Sequence, residues 1–281
     1  MTIKSIAVLM TVHNRKKQTL ACLDNLSKQI IPDKYNYDVW LTDDGCSDGT
    51  RETVQLNYPD VHILDGDGNL YWNRGMLRAW EAAANYKRYD YYLWLNDDTD
   101  LYVFAIRKLL EVSAEHEDKC NIVGSCQFED HSEVSYGGYK DGKIVTPNGV
   151  SVMVDYFNGN IVLIPDYVFR KIGNLDPYFS HGHGDTDYGL RARENGIKNY
   201  VVGYYLGECD RHDKQKKCWD PNIKLYDRLK SLYSPTGYPP KESFYYERKH
   251  KGLISALFHV VTLYIRTFFP KLWVLMGKSR I

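Results

Sequence analysis

The sequence predicts an α/β fold built on a doubly wound, mostly parallel β-sheet. Strand-like and helix-like segments alternate with short links through about residue 115, and this alternation is typical of parallel sheets covered by helices. Residues 6–10 form a nearly continuous apolar run, which indicates a strand covered on both faces. Polar turns follow three of the predicted strands, which is where open α/β sheets bind ligands.

The other elements follow from hydrophobic spacing. The first helix is indicated by apolar residues at helical intervals: Leu20, Leu23, Leu26 and Ile30. Further strands are predicted at residues 38–41, 61–64, 91–95, 159–164 and 200–202. Further helices are predicted at residues 74–86, 101–112 and 187–195. Within residues 116–165, the segments 133–139 and 150–154 are predicted as short, partly antiparallel strands.

Composition narrows the class of protein. The 281 residues include 36 basic and 36 acidic side chains, which gives a formal net charge of +0. No nucleic-acid partner is expected, because the chain has no general attraction for phosphate backbones. The six cysteines form no CxxC pair, and the N-terminus has no basic segment followed by an apolar run. These features predict a cytoplasmic protein with reduced thiols.

Three polar turns are expected to meet at one edge of the sheet. Residues 11–15 follow the first strand, Asp43 and Asp44 follow the second, and residues 96–98 follow the fourth. Because the carboxyl ends of parallel strands share an edge, these distant side chains are predicted to form one site.

The acidic run at residues 96–100 predicts a metal site. Clustered carboxylates repel each other unless a cation offsets their charge. Mg²⁺ or Mn²⁺ would do so and would bridge the diphosphate of a nucleotide. The alternative is a solvated turn in which Asp98 or Thr99 caps the next helix. The position of the run on the same edge as Asp44 favours the metal site.

A second acidic cluster, with Asp185 and Asp187, follows residues 176–183. An Asp that begins a helix at the mouth of a sugar pocket could take the proton of an attacking hydroxyl group. Capping of that helix by Asp185 or Thr186 is compatible with this role, since the helix dipole favours a carboxylate there.

Two zinc sites are alternatives to these interpretations. A zinc hydrolase site could be formed by alternating side chains of the second cluster: His181, His183, Asp185 and Asp187. A structural zinc could be held by three residues near the end of the region: Cys209, His212 and Cys218.

Four motifs, in this order, resemble those of the family 2 inverting glycosyltransferases of GT-A fold. They are residues 8–15, residues 43–50, residues 95–99, and the pair 172–179 with 184–191. The resemblance covers residues 3–212 and is of the bacterial surface-polysaccharide type. It implies a GT-A-like sheet with a smaller antiparallel sheet on the acceptor side, a nucleotide-sugar donor and a saccharide acceptor.

The resemblance also implies roles for single residues. Thr11 and Asp44 would hold the pyrimidine base, with Asp43 beside them. Asp98 would bind the metal, and Asp97 would bind the ribose or the diphosphate.

Further roles are implied on both sides of the sugar. Asp185 matches the catalytic base, and His212 matches a late histidine that reaches the metal or the diphosphate. The other implied donor-binding residues are Asn14, Arg15, Asn69 and Arg74. The acceptor-binding candidates are Trp72, His183 and Asp187, of which Trp72 could instead pack under the loop.

Three features depart from the family pattern. Asn96 stands where many members have Asp, the late histidine His212 lies in an unusual context at residues 209–213, and Gly184 replaces the Glu that commonly precedes the base. The base is therefore expected to be supported differently in this chain.

The C-terminal segment 252–269 is predicted to be an amphipathic helix. It is rich in apolar residues, but one polar stripe recurs at helical spacing: Ser255, His259, Thr262 and Arg266. Basic residues flank it, which suits a helix lying on an anionic membrane, peripheral to its inner face. Such attachment would imply a lipid-linked saccharide as acceptor. The alternative is a helix packed on the catalytic domain or on a second copy.

Together with the polar turns and acidic clusters, the resemblance implies a metal-assisted, inverting hexosyltransferase that uses UDP- or dTDP-sugars. Residues 1–115 form its nucleotide-sugar half, 116–212 its acceptor half, and 213–281 a C-terminal extension. A nucleotidyltransferase is an alternative, but it should carry a Gly-rich loop after the first strand, and residues 11–17 contain no Gly. A non-catalytic saccharide-binding relative is the other alternative.

Overall fold

The computed structural model describes residues 3–210 and 217–275. These residues form two compact units. The first unit comprises the described residues up to Pro177 and those from Gly184 to Asp210. The second unit comprises Tyr178–His183 and the described residues from Lys217 onward.

The first unit contains the strands and six of the helices. The strands are β1 (Lys4–Val12), β2 (Tyr35–Asp43), β3 (His62–Asp65), β4 (Tyr91–Leu95), β5 (Asp100–Leu101), β6 (Asn121–Gln127), β7 (Val134–Tyr136), β8 (Gly138–Lys140), β9 (Lys143–Ile144), β10 (Val152–Val154), β11 (Tyr156–Phe157), β12 (Ile161–Pro165) and β13 (Asn199–Glu208). The helices are α1 (Lys16–Ser27), α2 (Thr50–Asn57), α3 (Tyr71–Tyr86), α4 (Ala105–Glu115), α5 (Asp166–Ile172) and α6 (Gly184–Glu194).

The large sheet has the order β10-β13-β6-β12-β4-β1-β2-β3, with β5 and β7 paired at its side. Strands β4, β1, β2 and β3 run parallel, as do β6 and β13, whereas β12 runs antiparallel to both of its neighbours. A second, antiparallel sheet has the order β11-β8-β9. The predicted α/β fold, with a mostly parallel large sheet, a small antiparallel sheet and C-terminal helices, is confirmed.

The apolar run in β1 is explained by burial on both faces of the sheet. Ile6, Val8 and Met10 join the hydrophobic cluster that contains buried residues of α1 and α4. Ala7 and Leu9 join the opposite cluster, which contains buried residues of α3, α5 and α6. Side chains of a strand alternate between faces, so a strand covered on both sides needs apolar residues at every position.

Among the helix boundaries that differ from the sequence prediction, two bear on the predicted site. The helix expected at 101–112 begins at Ala105, because Asp100 and Leu101 pair with β13 as β5. Its N-cap is Phe104, so the alternative in which Asp98 or Thr99 caps this helix is wrong. The helix expected at 187–195 begins at Gly184, which puts Asp185 in its first turn.

The described part of the second unit is helical. It contains a short 3-10 helix (Lys217–Trp219), α7 (Leu225–Tyr233), α8 (Pro240–Lys251), α9 (Leu253–Phe268) and α10 (Pro270–Leu275). Segment 178–183 is bound to α8, since the backbone N–H and hydroxyl of Ser180 both donate to the Glu242 carboxylate. No helix within the described residues has the length and apolar character needed to span a bilayer.

The polar stripe of α9 packs against its own unit. Ser255 Oγ donates to Glu247 Oε2 at 2.9 Å, and His259 Nδ1 lies 3.1 Å from Glu247 Oε1. The apolar residues on the other side of the helix are left exposed, with Ile254 at 86% and Phe258 at 64% exposure. The spacing predicted the helix and its stripe, and the stripe is partly covered by its contacts with Glu247 on α8, whereas the polar face of an ordinary surface helix is fully solvated.

Candidate functional site

The structure brings the three predicted polar turns together at one edge of the sheet. Strands β4, β1 and β2 are neighbours and run parallel. The register pairs Val12 with Asp43, so the turns after β1 and β2 start at the same level. The turn after β4 reaches the same place, since Arg15 contacts both Asp97 and Asp98.

The turn after β1 is bound to the turn after β2. Asn14 has a left-handed backbone, with φ 53°, and its Oδ1 accepts the backbone N–H of Ser47 at 2.7 Å. The backbone N–H of Lys16 donates to Asp48 Oδ2 at 3.0 Å. Asn tolerates this conformation better than most residues, and its short amide is in reach of neighbouring backbone. Asn14 therefore holds the two turns together, and its contact with a donor stays a prediction.

Thr11 lies directly under helix α3. A Cβ built on Gly75 would lie 2.1 Å from Thr11 Oγ1, so this helix position has room only for glycine. The carbonyl oxygen of Gly75 accepts the hydroxyl of Thr42 at 2.8 Å. The close approach fixes the start of α3 against the ends of β1 and β2.

The Asp44 carboxylate organises the glycine-rich loop before α3. Its Oδ1 accepts the N–H groups of Gly68 at 2.8 Å and Leu70 at 3.2 Å, and its Oδ2 accepts that of Tyr71 at 2.9 Å. The first N–H groups of a helix have no partner within the helix, and a carboxylate there is also favoured by the helix dipole. Asp44 thereby fixes the loop that carries the exposed Asn69.

Asp43 performs a similar task on the other side of its turn. Its Oδ1 accepts the backbone N–H of Cys46 at 2.7 Å, and its Oδ2 lies 3.6 Å from Arg51 Nη1. Both oxygens of this buried carboxylate are thus held by its own chain. That Thr11, Asp43 and Asp44 also contact a base stays a prediction.

Asp97 and Asp98 share one guanidinium group. Arg15 Nη1 lies 3.2 Å from Asp97 Oδ1, and Arg15 Nη2 lies 2.8 Å from Asp98 Oδ2. Desolvation raises the pKa of Asp97 to about 7, Arg15 opposes that rise, and Asp98 adds to it. The pKa of Arg15 is raised, since the two acids outweigh the effect of its own burial. The charge offset expected from a metal is supplied here by Arg15.

A chain of contacts leads from this acidic turn to Asp185. Trp72 Nε1 donates to Asn96 Oδ1 at 2.7 Å. The Trp72 ring lies against Gly159, where a Cβ would come within 2.5 Å of it. The backbone N–H of Gly159 donates to Asp185 Oδ2 at 3.0 Å. The metal motif and the expected base are therefore linked through one tryptophan and one glycine.

The Asp185 carboxylate is held in a fixed orientation. Besides the bond from Gly159, its Oδ1 accepts the backbone N–H of Thr186 at 2.8 Å. Burial raises the pKa of Asp185, and these two N–H donors oppose the rise. A carboxyl group with a raised pKa holds a proton more readily, which is the property a general base at neutral pH requires.

The comparison with protein families agrees with this geometry. Residues 7–163, more than half of the 281, match the family model described as Glycosyl transferase family 2. The chain belongs to glycosyl transferase family 2. A comparison with curated proteins finds no match.

Membership of glycosyl transferase family 2 makes the chain a glycosyltransferase, with a nucleotide sugar and a saccharide acceptor as partners. This family membership excludes the alternative interpretation that the chain is a nucleotidyltransferase. The matched range contains the turns after β1, β2 and β4 and ends before Asp185. The role of Asp185 therefore depends on the resemblance of residues 184–191 and on the contacts described above.

Asp187 of this family 2 glycosyltransferase is buried in a structural network. Its Oδ2 lies 2.8 Å from Arg191 Nε, and its side chain has 0% exposure. The Nη groups of Arg191 donate to the carbonyls of Ile172 and Asn174, each at 2.8 Å. Asp187 thus fixes the turn after α5. Acceptor binding by Asp187, which the resemblance implies, stays a prediction.

Neither zinc interpretation gains support from the glycosyltransferase structure. Within residues 3–210 and 217–275, no three His, Cys, Asp or Glu side chains come together as a metal cluster. The Asp187 carboxylate is bound to Arg191, and the ring of His183 stacks on Tyr246 at 4.5 Å within the second unit. His212, expected to reach the metal, lies outside the described residues.

The presence of glycine at position 184 is explained by Asn73, which occupies the space that a side chain there would need. A Cβ at Gly184 would lie 1.8 Å from Asn73 Oδ1, so the buried amide of Asn73 excludes any side chain there. Asn73 Nδ2 donates to the Asp176 carbonyl at 2.9 Å, and Arg74 Nε donates to the Pro177 carbonyl at 3.3 Å. The first turn of α3 thereby supports the segment before the base. Donor binding by Arg74 stays a prediction.

Two residues that support the expected base and its helix were missed from the sequence. Gly159 supplies an N–H to Asp185, and the Asn73 amide occupies the space that a side chain at position 184 would need. The only sequence signal for Gly159 was its place before an apolar strand. Asn73 lay in a helix whose polar residues had no evident partner.

Proposed function

We propose that this glycosyltransferase transfers a sugar from a UDP- or dTDP-sugar to a saccharide hydroxyl group, with inversion at the anomeric carbon. Asp185 acts as general base, and Asp98 holds Mg²⁺ or Mn²⁺ beside the diphosphate. The observation that supports this most is the contact chain from Asn96 through Trp72 and Gly159 to Asp185. It couples the expected diphosphate side of the sugar to the expected acceptor side.

In the proposed step, the acceptor oxygen attacks the anomeric carbon as its proton passes to Asp185. The bond from that carbon to the diphosphate oxygen breaks, and the nucleoside diphosphate leaves with the bonding electron pair. Asp185 is suited to this because two backbone N–H groups orient its carboxylate while burial raises its pKa. A correctly placed base of raised pKa is what general base catalysis requires.

The acidic turn fits a hard divalent cation. Carboxylate oxygens are the preferred ligands of Mg²⁺, which is usually held by one or two protein carboxylates together with substrate phosphates. Asp98 offers such a group at the surface of the turn, with 12% of its side chain exposed, and Asp97 lies behind it. The bound cation would offset the charge of the departing diphosphate. Arg15 would then be released from both acids and could bind the phosphates.

The pyrimidine side of the proposal depends on the glycine-rich loop. Asp44 fixes the loop through three N–H groups, and Asn69 lies exposed within it. We place the nucleoside between this loop and the turn with Thr11, where Asn14 and Arg74 also lie along the edge. Residues 1–115 would then bind the nucleotide sugar, and 116–212 would bind the acceptor.

A thermal-shift panel tests this donor assignment. UDP- and dTDP-sugars are expected to raise the melting temperature in the presence of Mn²⁺, because a ligand at about 100 times its dissociation constant stabilises the native state by about 2.7 kcal/mol. ADP- and GDP-sugars at equal concentration serve as controls. An equal rise in melting temperature with the purine nucleotide sugars would contradict the pyrimidine assignment. An equal rise without Mn²⁺ would contradict the proposed role of the cation in donor binding.

We also propose that α9 lies on an anionic membrane surface, which would place the enzyme at the inner face of a cytoplasmic membrane with a lipid-linked saccharide as acceptor. The support is the exposed apolar face of the helix, formed by Ile254, Leu257, Phe258, Val261 and Ile265. The last turn of α8 carries four basic residues immediately before it: Arg248, Lys249, His250 and Lys251. Apolar side chains beside cations suit the headgroup region of an anionic bilayer.

Flotation with anionic liposomes tests the membrane proposal. The double variant Ile254→Glu/Val261→Glu is expected to lower the association constant at least tenfold, since each buried side chain contributes about 1.5–3 kcal/mol. Leu56→Glu is the matched control, because Leu56 is 80% exposed on α2 of the first unit. Equal flotation of both variants would contradict the proposal. A wild-type dimer in light scattering, with no flotation, would assign the face to a second copy.

A further inference from the structure

A buried thiol lies beside the acidic turn that is expected to hold the cation. Cys209 follows β13 directly and is 4% exposed. Its backbone N–H donates to the carbonyl of Gln127, the last residue of β6, at 3.0 Å. The position of the Cys209 backbone is therefore fixed by the sheet, whatever the side chain does. The zinc interpretation of this cysteine gains no support, so its thiol has a different role.

The sulfur of Cys209 is hydrogen-bonded on two sides. Asn160 Nδ2 donates to Cys209 Sγ at 3.6 Å, and Cys209 Sγ donates to Asp98 Oδ1 at 3.7 Å. The carbonyl oxygen of Asp210 is a second possible acceptor of the thiol hydrogen, at 3.9 Å. The carboxylate is closer, and an ionised acceptor forms the stronger hydrogen bond. The thiol hydrogen is therefore directed to Asp98.

Asn160 connects this contact to the strand that carries the acidic turn. Its backbone carbonyl accepts the N–H of Asn96, the first residue after β4, at 3.0 Å. The residue immediately precedes β12 and is 5% exposed. Asn160 thus binds the backbone of the acidic turn and the sulfur of Cys209 at the same time. The sulfur is held at a defined place beside the turn.

The two oxygens of Asp98 have different surroundings. Oδ2 lies 2.8 Å from Arg15 Nη2, whereas Oδ1 accepts the Cys209 thiol. In the proposed function the cation replaces Arg15 at this carboxylate. A carboxylate that is held at one oxygen keeps the direction of the other when Arg15 leaves. Side chains that hydrogen-bond to metal ligands orient them, and replacing such a side chain typically weakens metal binding by about 10- to 100-fold.

We propose that Cys209 is a positioning residue for the cation, because its thiol holds Oδ1 of Asp98 and so directs Oδ2 toward Mg²⁺ or Mn²⁺. The inference rests on the proposed function, in which Asp98 is a metal ligand. A thiol is a weak hydrogen-bond donor. Its loss is therefore expected to weaken cation binding by about three- to tenfold, which is less than the loss of a stronger donor would.

Mn²⁺ titration of the full chain without nucleotide, followed by EPR spectroscopy, tests this role. Cys209→Ala is expected to raise the dissociation constant of Mn²⁺ about three- to tenfold. Cys209→Val should do the same, although it fills the space of the sulfur. Cys209→Ser keeps a donor and should recover most of the affinity. Cys120→Ala is the matched control, because Cys120 is also a buried thiol of the first unit, and its charged neighbours are Asp118 and Lys198.

Donor hydrolysis measures the same effect in the working enzyme. Cys209→Ala should need about three- to tenfold more Mn²⁺ for the half-maximal rate, whereas the rate at saturating Mn²⁺ should equal that of the wild type. A merely structural role of the thiol would instead lower the rate at saturating Mn²⁺, and that result would overturn the proposal.

Asp98→Asn separates this proposal from the proposed function. Weaker Mn²⁺ binding in Cys209→Ala and Cys209→Val, with recovery in Cys209→Ser and no change in Cys120→Ala, supports the positioning role. Wild-type Mn²⁺ affinity of Cys209→Ala and Cys209→Val, with weak binding in Asp98→Asn, overturns the positioning role alone. Wild-type affinity of Asp98→Asn would contradict the metal role of Asp98 in the proposed function, and the positioning role would be overturned with it.

Discussion

Replacing Asp185 by asparagine is expected to lower the turnover number by about 10²- to 10⁴-fold, the usual contribution of a general base. Asparagine keeps the shape of the side chain but cannot take the proton of the acceptor hydroxyl group. The affinity for the donor should not change, because the Asp185 carboxylate contacts Gly159 and Thr186 rather than the acidic turn. Initial rates at saturating donor and acceptor measure the first quantity, and nucleotide-sugar titration measures the second.

Asp155→Asn is the matched control for this variant. Asp155 is an aspartate of the first unit whose carboxylate binds Arg193 at the surface. It should retain wild-type turnover. Near wild-type turnover of Asp185→Asn would remove Asp185 from the reaction, and the base would then have to be sought among other side chains.

The raised pKa of Asp185 adds a pH signature to the same variant. The ionised carboxylate is the active form, so kcat/KM of the wild type should fall as the pH drops through a pKa above the ordinary range of Asp, about 3.9. The stability of the folded protein is expected to depend on pH in the opposite direction. A carboxyl group with a raised pKa in the folded state stabilises most when protonated, and this contribution is lost as the pH rises through that pKa. The melting temperature of the wild type should therefore fall relative to that of Asp185→Asn as the pH rises above about 4.

The strand ends could be predicted from the sequence because they depend on local patterns. The apolar run in β1 and the polar turns after β1, β2 and β4 fix where the site lies, whatever the details of packing. The support of the base could not be predicted in this way. Gly159 and Asp185 are 26 residues apart, and their hydrogen bond depends on where β12 brings the chain.

Asn73 and Gly184 are a second case in which a contact between residues distant in the sequence could not be predicted from local patterns. From the sequence, Gly184 is a departure from a family pattern with no visible compensation. In the structure the Asn73 amide fills the space of the missing side chain, and the two residues are 111 positions apart. Similarly, the spacing of Ser255 and His259 predicted a polar stripe, but only the position of Glu247 on α8 determines that the stripe faces inward.

Replacing Arg15 by glutamine is expected to destabilise the protein strongly when no divalent cation is present. Removal of one partner from a buried ion pair costs about 3–5 kcal/mol, because an uncompensated charge stays buried. Arg15 is the partner of two acids, of which Asp97 is almost fully buried. The pKa of Asp97, about 7, limits the loss at lower pH, where a proton neutralises this carboxyl group instead. Chemical denaturation in EDTA at about pH 8 should therefore show the largest difference from the wild type.

Mn²⁺ should restore the stability of Arg15→Gln and bind it more tightly than it binds the wild type. Under the proposed function, the cation competes with the Arg15 guanidinium for Asp97 and Asp98 in the wild type, whereas the variant lacks this competing charge. The Mn²⁺-induced rise in melting temperature is thus expected to be larger for Arg15→Gln, and Mn²⁺ titration without nucleotide should give a lower dissociation constant. Arg193→Gln removes an exposed arginine from Asp155 and should behave as the wild type in both measurements. If Mn²⁺ stabilised Arg15→Gln no more than the wild type, the cation would bind elsewhere, and Asp97 and Asp98 would serve only as the ion-pair partners of Arg15.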